Sequence, residues 1–230
     1  MKKVICLILC LIICVSMSAC GGNLDAKKET LVGTKWFSSA ETSNTIVVWN
    51  FYEESVEKIE YFFDGNGIHN SEKKVASYTM QKDVIKVSFD DEEMIIPYTF
   101  KNDKVALKQG DFFSPDDIEK EIQGFWTLHK KDYIAAVGVS TESENNIQFD
   151  NGIMRNENAS KAYNGAPGEY YYYGPNEGEY AIGDGKFETE VKHGGEYFFN
   201  VFGGKVNVFH YGNKMERGEG LPGQNGYKFD

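Results

Sequence analysis

From Leu31 onward, apolar and polar positions alternate with a period of two, the pattern of strands that bury one face. Ile59, Tyr61 and Phe63 alternate with Lys58, Glu60 and Phe62, and Ile85, Val87 and Phe89 alternate with Lys86 and Ser88. Val105 and Leu107 alternate with Lys104, Ala106 and Lys108. Met94, Ile96, Tyr98 and Phe100 share one face. Pro97 on the other face marks an edge position or a bulge, because proline has no N–H to give to a ladder. Turn signals separate these runs at Asp64-Gly65-Asn66-Gly67, Asn102-Asp103, Asp184-Gly185 and Gly203-Gly204. The pattern predicts an all-β chain of antiparallel meanders. One segment breaks the period: Ser114-Pro115-Asp116-Asp117 supplies an N-cap, a proline at the first helical position and acids in the first turn. It predicts a short helix over 115–122, with Ile118 and Ile122 on one side.

An ordered repeat brackets that helix. Leu31-Val32-Gly33-Thr34-Lys35-Trp36 is echoed by Ile122-Gln123-Gly124-Phe125-Trp126, and Phe63-Asp64-Gly65-Asn66-Gly67 by Phe149-Asp150-Asn151-Gly152. Tyr78-Thr79-Met80 is echoed by Tyr180-Ala181-Ile182, and Lys104-Val105-Ala106-Leu107 by Lys205-Val206-Asn207-Val208. An insertion of roughly fifteen residues near Tyr163 to Gly178 accounts for most of the growing offset. The reading is two copies of one β-unit, residues 31–113 and 114–230, with the alternative of chance likeness between two generic meanders.

The N-terminus departs from both periods. Lys2 and Lys3 precede an unbroken apolar run from Val4 to Val15, too short for a transmembrane helix and of the right length for a signal peptide over 1–19. Residues 20–30 are glycine-led, charged and aperiodic, and read as a tether. The segment Met17-Ser18-Ala19-Cys20 resembles the lipobox of bacterial lipoproteins. That resemblance implies diacylglycerol on the Cys20 sulfur, cleavage after Ala19, and an extracytoplasmic protein whose membrane partner is its own lipid. Gly21, Gly22 and a Lys-, Asn- and Glu-rich domain point to a Gram-positive envelope.

Composition narrows the chemistry. The chain has 230 residues and a formal charge of −11; loss of the two leader lysines deepens this to −13. Such a surface is repelled by nucleic-acid phosphate and by anionic headgroups. All four cysteines, Cys6, Cys10, Cys14 and Cys20, lie in or at the end of the leader, so the mature domain has no thiol for a disulfide, a metal or a nucleophile.

Gly124-Phe125-Trp126 is similar to the G-x-W signature that opens the first strand of lipocalins, and Gly33-Thr34-Lys35-Trp36 matches it with one residue more. The later turn and strand patterns also look like the lipocalin-like domains of small bacterial lipoproteins. The resemblance implies two small barrels in tandem, with Trp36 and Trp126 plugging one end of each. It also implies an arginine from a late strand over each tryptophan. Only Arg155 and Arg217 exist, so Arg217 is the candidate for the second copy and the first copy has none.

No catalytic, metal or cofactor constellation emerges from the sequence. His69, His129, His193 and His210 lack helical metal-ligand spacing, and Asp90-Asp91-Glu92-Glu93 reads as a solvated turn between strands. The unusual segment is GAPGEYYYYGPNEGEY, residues 165–180. Its Tyr170, Tyr171, Tyr172 and Tyr173 place two side chains on each face of an extended strand, either as packing or as an aromatic platform for a sugar or a protein. The function expected from the sequence is a non-enzymatic, surface-anchored binding module for a small apolar or glycan ligand or a protein partner. The alternatives are a structural or accessory envelope lipoprotein, and a hydrolase with a cross-strand site.

Overall fold

Hairpins account for nearly the whole molecule. The computed structural model describes residues 24–39, 42, 44–64, 66–90, 92–108, 111–134, 139–163, 169–191 and 196–219; the leader and Cys20 lie outside the described residues. The first sheet is built from β1 (Lys35–Ser39), β2 (Thr45–Phe51), β3 (Ser55–Asp64), β4 (Gly67–Gln81), β5 (Val84–Ser88), β6 (Glu93–Lys101), β7 (Lys104–Leu107) and β8 (Phe112–Phe113). Its order is β7-β6-β5-β4-β3-β2-β1-β8. Because β8 follows β7 in the chain and pairs with β1, the sheet curls into a nearly closed barrel. The Asn102-Asp103 turn takes positive φ at both residues, 50° and 58°, the twist that a two-residue hairpin between Lys101 and Lys104 requires.

The helix α2 (Pro115–Ile122) follows, with the bounds the sequence predicts. Ser114 and Asp117 form its reciprocal capping box, and Ile118 and Ile122 are fully buried. Beyond it lie β9 (Gly124–Ile134), β10 (Val139–Asp150), β11 (Ile153–Tyr163), β12 (Glu169–Ile182), β13 (Phe187–Thr189), β14 (Tyr197–Phe202), β15 (Lys205–His210), β16 (Asn213–Lys214) and β17 (Glu216–Arg217). They form sheets of order β13-β12-β11-β10-β9-β17 and β14-β15-β16. Two narrow joins link these sheets: the Lys186–Phe198 bridge, with Phe199 N–H donating to the Gly185 carbonyl at 2.9 Å, and Met215 N–H donating to the Val208 carbonyl at 2.8 Å. The result is a second ring of strands.

The expected tether is partly wrong. Residues 24–31 form a helix, α1, that runs straight into the first sheet. Leu31 is fully buried among the core residues of that sheet. The ammonium of Lys27 lies 5.5 Å from the ring centroids of Tyr98 and Phe100, and that of Lys28 lies 5.8 Å from Tyr78. Thr30 Oγ1 accepts from Val105 N–H at 3.2 Å. These contacts depend on tertiary neighbours, so local composition alone reads as linker.

The echoed segments fall into place unevenly. Trp36 and Trp126 are on the first strand after a helix, Tyr78 and Tyr180 on the fourth, and Lys104 and Lys205 at the start of the seventh. The aspartate turns do not correspond: Asp64 closes the third hairpin, whereas Asp150-Asn151-Gly152 closes the second. Of the expected insertion, Tyr163 belongs to β11 and residues 169–178 to β12, while residues 164–168 lie outside the described residues.

The two halves share apolar walls. In β2, Val47, Trp49 and Phe51 face the first core, while Ile46 and Val48 belong to the second. That division explains the continuous apolar run in Thr45–Phe51, the pattern of a strand buried on both faces. Phe37 meets Phe199 edge-on at 5.1 Å, and Phe63 packs on Phe198 and Phe209 at 5.7 and 4.7 Å. Asp184 is paired with Lys35 and accepts from the Tyr61 hydroxyl at 3.1 Å.

Candidate functional site

Among the described residues, β17 covers β9 only at Trp126 and Thr127, and β13 covers β12 only from Tyr180 to Ile182. The rest of β9, β10, β11 and β12 therefore continues past the ring as a four-stranded extension. Residues opposite one another in antiparallel strands lie on one face of the sheet. Among the described side chains, the register sets Trp126, Ile147, Asn156 and Asn176 in one row, followed by Leu128 with Asn145 and then Lys130 with Ser143 on the same face. A bulge between Asn156 and Asn158 shifts the backbone register with β12, so that the Cα partners are Asn158–Tyr173 and Ser160–Tyr171. The backbone of Tyr170 to Tyr173 belongs to β12; their side chains lie outside the described residues.

Asn156 marks the change from apolar core to polar extension. It is wholly buried, and neither its amide nitrogen nor its amide oxygen has a hydrogen-bond partner. The Tyr197 hydroxyl, on β14, is equally buried and unpaired. The Asn156 amide adjoins that hydroxyl without meeting it in hydrogen-bond geometry. Burial pushes the Tyr197 phenol up to about 12, the Asn156 amide opposes the rise, and the ring stacks on His210 at 4.8 Å. Each unpaired buried polar group costs roughly 1–3 kcal/mol, so the fold carries these two side chains at a loss. On the opposite face, Asn146 Nδ2 and Gln148 Oε1 also lack partners.

Two surface grooves flank β13. One, of about 370 Å³, follows the narrow join between β13 and β14 and is lined by Lys186, Phe187, Glu188, Val191, Glu196 and Tyr197 among others. The other, of about 660 Å³, lies over β12 and β13 and is lined by Glu177, Glu179, Glu188 and Glu190. Among the described residues no group of three His, Cys, Asp or Glu side chains is placed to hold a metal ion.

The residues singled out in the sequence separate into different places. Trp36 and Trp126 are buried in the first and second cores, with their indole N–H groups donating to Thr34 Oγ1 at 3.0 Å and to the Ile122 carbonyl at 2.7 Å. The Arg217 guanidinium lies 4.0 Å from the Trp126 ring centroid and donates to the carbonyls of Glu121, Ile122 and Gln123 at the end of α2. Asp90, Glu92 and Glu93 are exposed at the β5–β6 turn, and Glu93 pairs with Lys86. His69 is exposed beside Asp64, and His210 is buried. Cys20, Asp91 and His193 lie outside the described residues.

Asn156 and Tyr197 were not singled out in the sequence. A signal for Asn156 existed, because alternation from Met154 calls for an apolar residue there and the chain supplies an amide. Nothing local marks Tyr197, whose meaning depends on which strand closes the ring. The chain matches no protein-family model and no curated protein at a significant level.

Proposed function

We propose that the protein is a lipid-anchored, extracytoplasmic binding module, non-enzymatic, with its site on the C-terminal sheets beside Asn156 and Tyr197. The observation that carries this reading is a solvent-open groove lined by Tyr197, whose buried hydroxyl, like the Asn156 amide it adjoins, has no hydrogen-bond partner. Folds rarely leave such groups unsatisfied without a use for them, and a bound ligand supplies the missing partners. A groove of 370 Å³ falls within the about 300–1,000 Å³ of small-molecule pockets. The lipocalin-like tandem reading fits the nearly closed ring, the first-strand tryptophans and the arginine over Trp126. The Met17-Ser18-Ala19-Cys20 segment supports the anchor.

Two measurements test the reading. Thermal-shift screening of the detergent-solubilised protein against fatty acids, oligosaccharides and peptides should give stabilisation by at least one class, reduced in Tyr197→Phe. Stabilisation by none of them removes the binding function. Separately, Cys20→Ala should yield released protein or uncleaved precursor on cell fractionation; a variant that is cleaved at the same bond and stays membrane-bound rules out the lipid anchor.

A further inference from the structure

Resting on the lipid anchor proposed at Cys20, we infer that the first ring of strands stands on the membrane by the end that carries α1, with Val32 and Tyr52 in the headgroup region. Three features of that end choose a lipid surface as its partner.

The first is reach. Cys20 lies four residues before the start of α1 at residue 24, and four residues span at most about 14 Å. The helix itself is fixed to the ring. Leu31 is fully buried in the first core, Thr30 Oγ1 accepts from Val105 N–H, and the ammonium groups of Lys27 and Lys28 lie over the rings of Tyr98, Phe100 and Tyr78. A lipid on Cys20 therefore sits within a short chain length of one face of the fold. A tether running to residue 30 would have left the body free to turn.

The second is apolar exposure. Strands β2, β4 and β6 run towards α1, so the turns at residues 52–54, 82–83 and 102–103 gather around it. Gly33 N–H donates to the Phe51 carbonyl at 2.8 Å, and the Tyr78 hydroxyl donates to the Tyr52 carbonyl at 2.8 Å. Val32 and Tyr52 flank the Gly33–Phe51 pair and are exposed, at 37% and 49%. Tyrosine suits the membrane–water interface because its ring is apolar and its hydroxyl stays wet.

The third is charge. Lys27, Lys28, Lys82, Lys101 and Lys104 stand at this end against a similar number of acids, from Asp25 to Asp103, so it is close to neutral in a chain of formal charge −11. The opposite end of the ring is acidic. Its described turns and their flanks carry Asp64, Asp90, Glu92, Glu93 and Asp111 against Lys86 and Lys108. An anionic bilayer repels that end and accepts the α1 end.

The test is spin labelling of the lipidated protein in vesicles of phosphatidylcholine and phosphatidylglycerol. The mature chain has no thiol apart from the lipid-bearing Cys20, so Glu53→Cys at the α1 end and Glu92→Cys at the opposite end each take one label. Both positions are exposed in the chain itself. On vesicles, the Glu53 label should collide with a water-soluble nickel chelate severalfold less often than the Glu92 label. Val32→Ser with Tyr52→Ser should restore nickel access at the Glu53 label while the protein stays on the vesicles, because the lipid still holds it. Equal access at both labels in vesicle-bound protein, or shielding of the Glu92 label alone, overturns the orientation and leaves the anchor standing. Access unaltered by the paired serine substitutions overturns the placement of Val32 and Tyr52 in the headgroups. Protein that never joins the vesicle fraction overturns the anchor and this inference with it.

Discussion

Among the described tyrosines, burial raises the phenols of Tyr61, Tyr78, Tyr180 and Tyr197. Burial, then the Asp184 carboxylate, pushes the Tyr61 phenol up to about 12, and burial does the same at Tyr197. In the unfolded chain a phenol titrates near 10. Between about pH 10 and pH 12 the unfolded state therefore releases protons that the folded state keeps, so stability falls with rising pH. Below about pH 10 the contribution of both groups is fully present. The urea midpoint should hold level up to about pH 10 and fall above it, and Tyr61→Phe with Tyr197→Phe should lessen the fall, with Tyr78 and Tyr180 carrying the remainder. A wild-type midpoint that stays level to pH 12 would contradict the burial assigned to these rings. At this scale Trp126 and Arg217 were legible as partners only through the lipocalin resemblance, which implies a late-strand arginine over the first-strand tryptophan. The sequence did not single out Asn156, because an amide on a strand is as often a solvated residue as a buried one, and only the register decides.

Elements meet at α2. Its N-terminus is closed by Ser114 and Asp117, and its C-terminus by Arg217, which brings three carbonyls and an indole ring to one guanidinium. On its flank, Glu119 Oε1 accepts from the Tyr180 hydroxyl at 2.6 Å, from Gln123 Nε2 at 2.7 Å and from Gly152 N–H at 3.2 Å, tying the helix to the β10–β11 turn and to β12. Burial and the Glu119 carboxylate together raise the Tyr180 phenol strongly. Arg217→Ala should cost about 1–2 kcal/mol in denaturant unfolding through the lost ring contact and caps. Arg217→Lys should recover only part, because an ammonium cannot spread over three carbonyls and stack at once. An Arg217→Ala midpoint equal to wild type would show the arrangement to be incidental. The helix was legible because capping is a local code carried by consecutive residues. The α1 helix was not, because it depends on Tyr78, Tyr98 and Phe100, which are at least 47 positions further along the chain.

Across the whole molecule, the two rings of strands are joined by apolar surface rather than by a linker alone. Gly185 sits at this junction with φ +80°, and an added Cβ would lie 2.7 Å from Ile46 Cγ2 and 3.0 Å from Ile68 Cδ1. Gly185→Ala therefore carries both backbone strain and overpacking, and should destabilise by about 1–3 kcal/mol. Because Phe37, Ile46 and Val48 of the first sheet belong to the second core, the protein should unfold in one cooperative calorimetric transition. Two resolved transitions, with Gly185→Ala moving only one of them, would show that the shared wall contributes little.

The sequence by itself determined what neighbours along the chain can decide: the all-β character from the period of two, the hairpin turns at Asn102-Asp103 and Gly203-Gly204, and the capped helix over 115–122. These follow from backbone sterics and from burial of alternate residues, which act within a few positions. Tertiary structure decided everything that rests on which strand lies beside which. It made β2 a wall between two cores, put a bulge between Asn156 and Asn158 in the pairing with β12, and brought Tyr197 across the ring to Asn156. A shift of one residue in register reverses every side chain on a strand, and no local signal fixes that register across some forty residues of intervening chain.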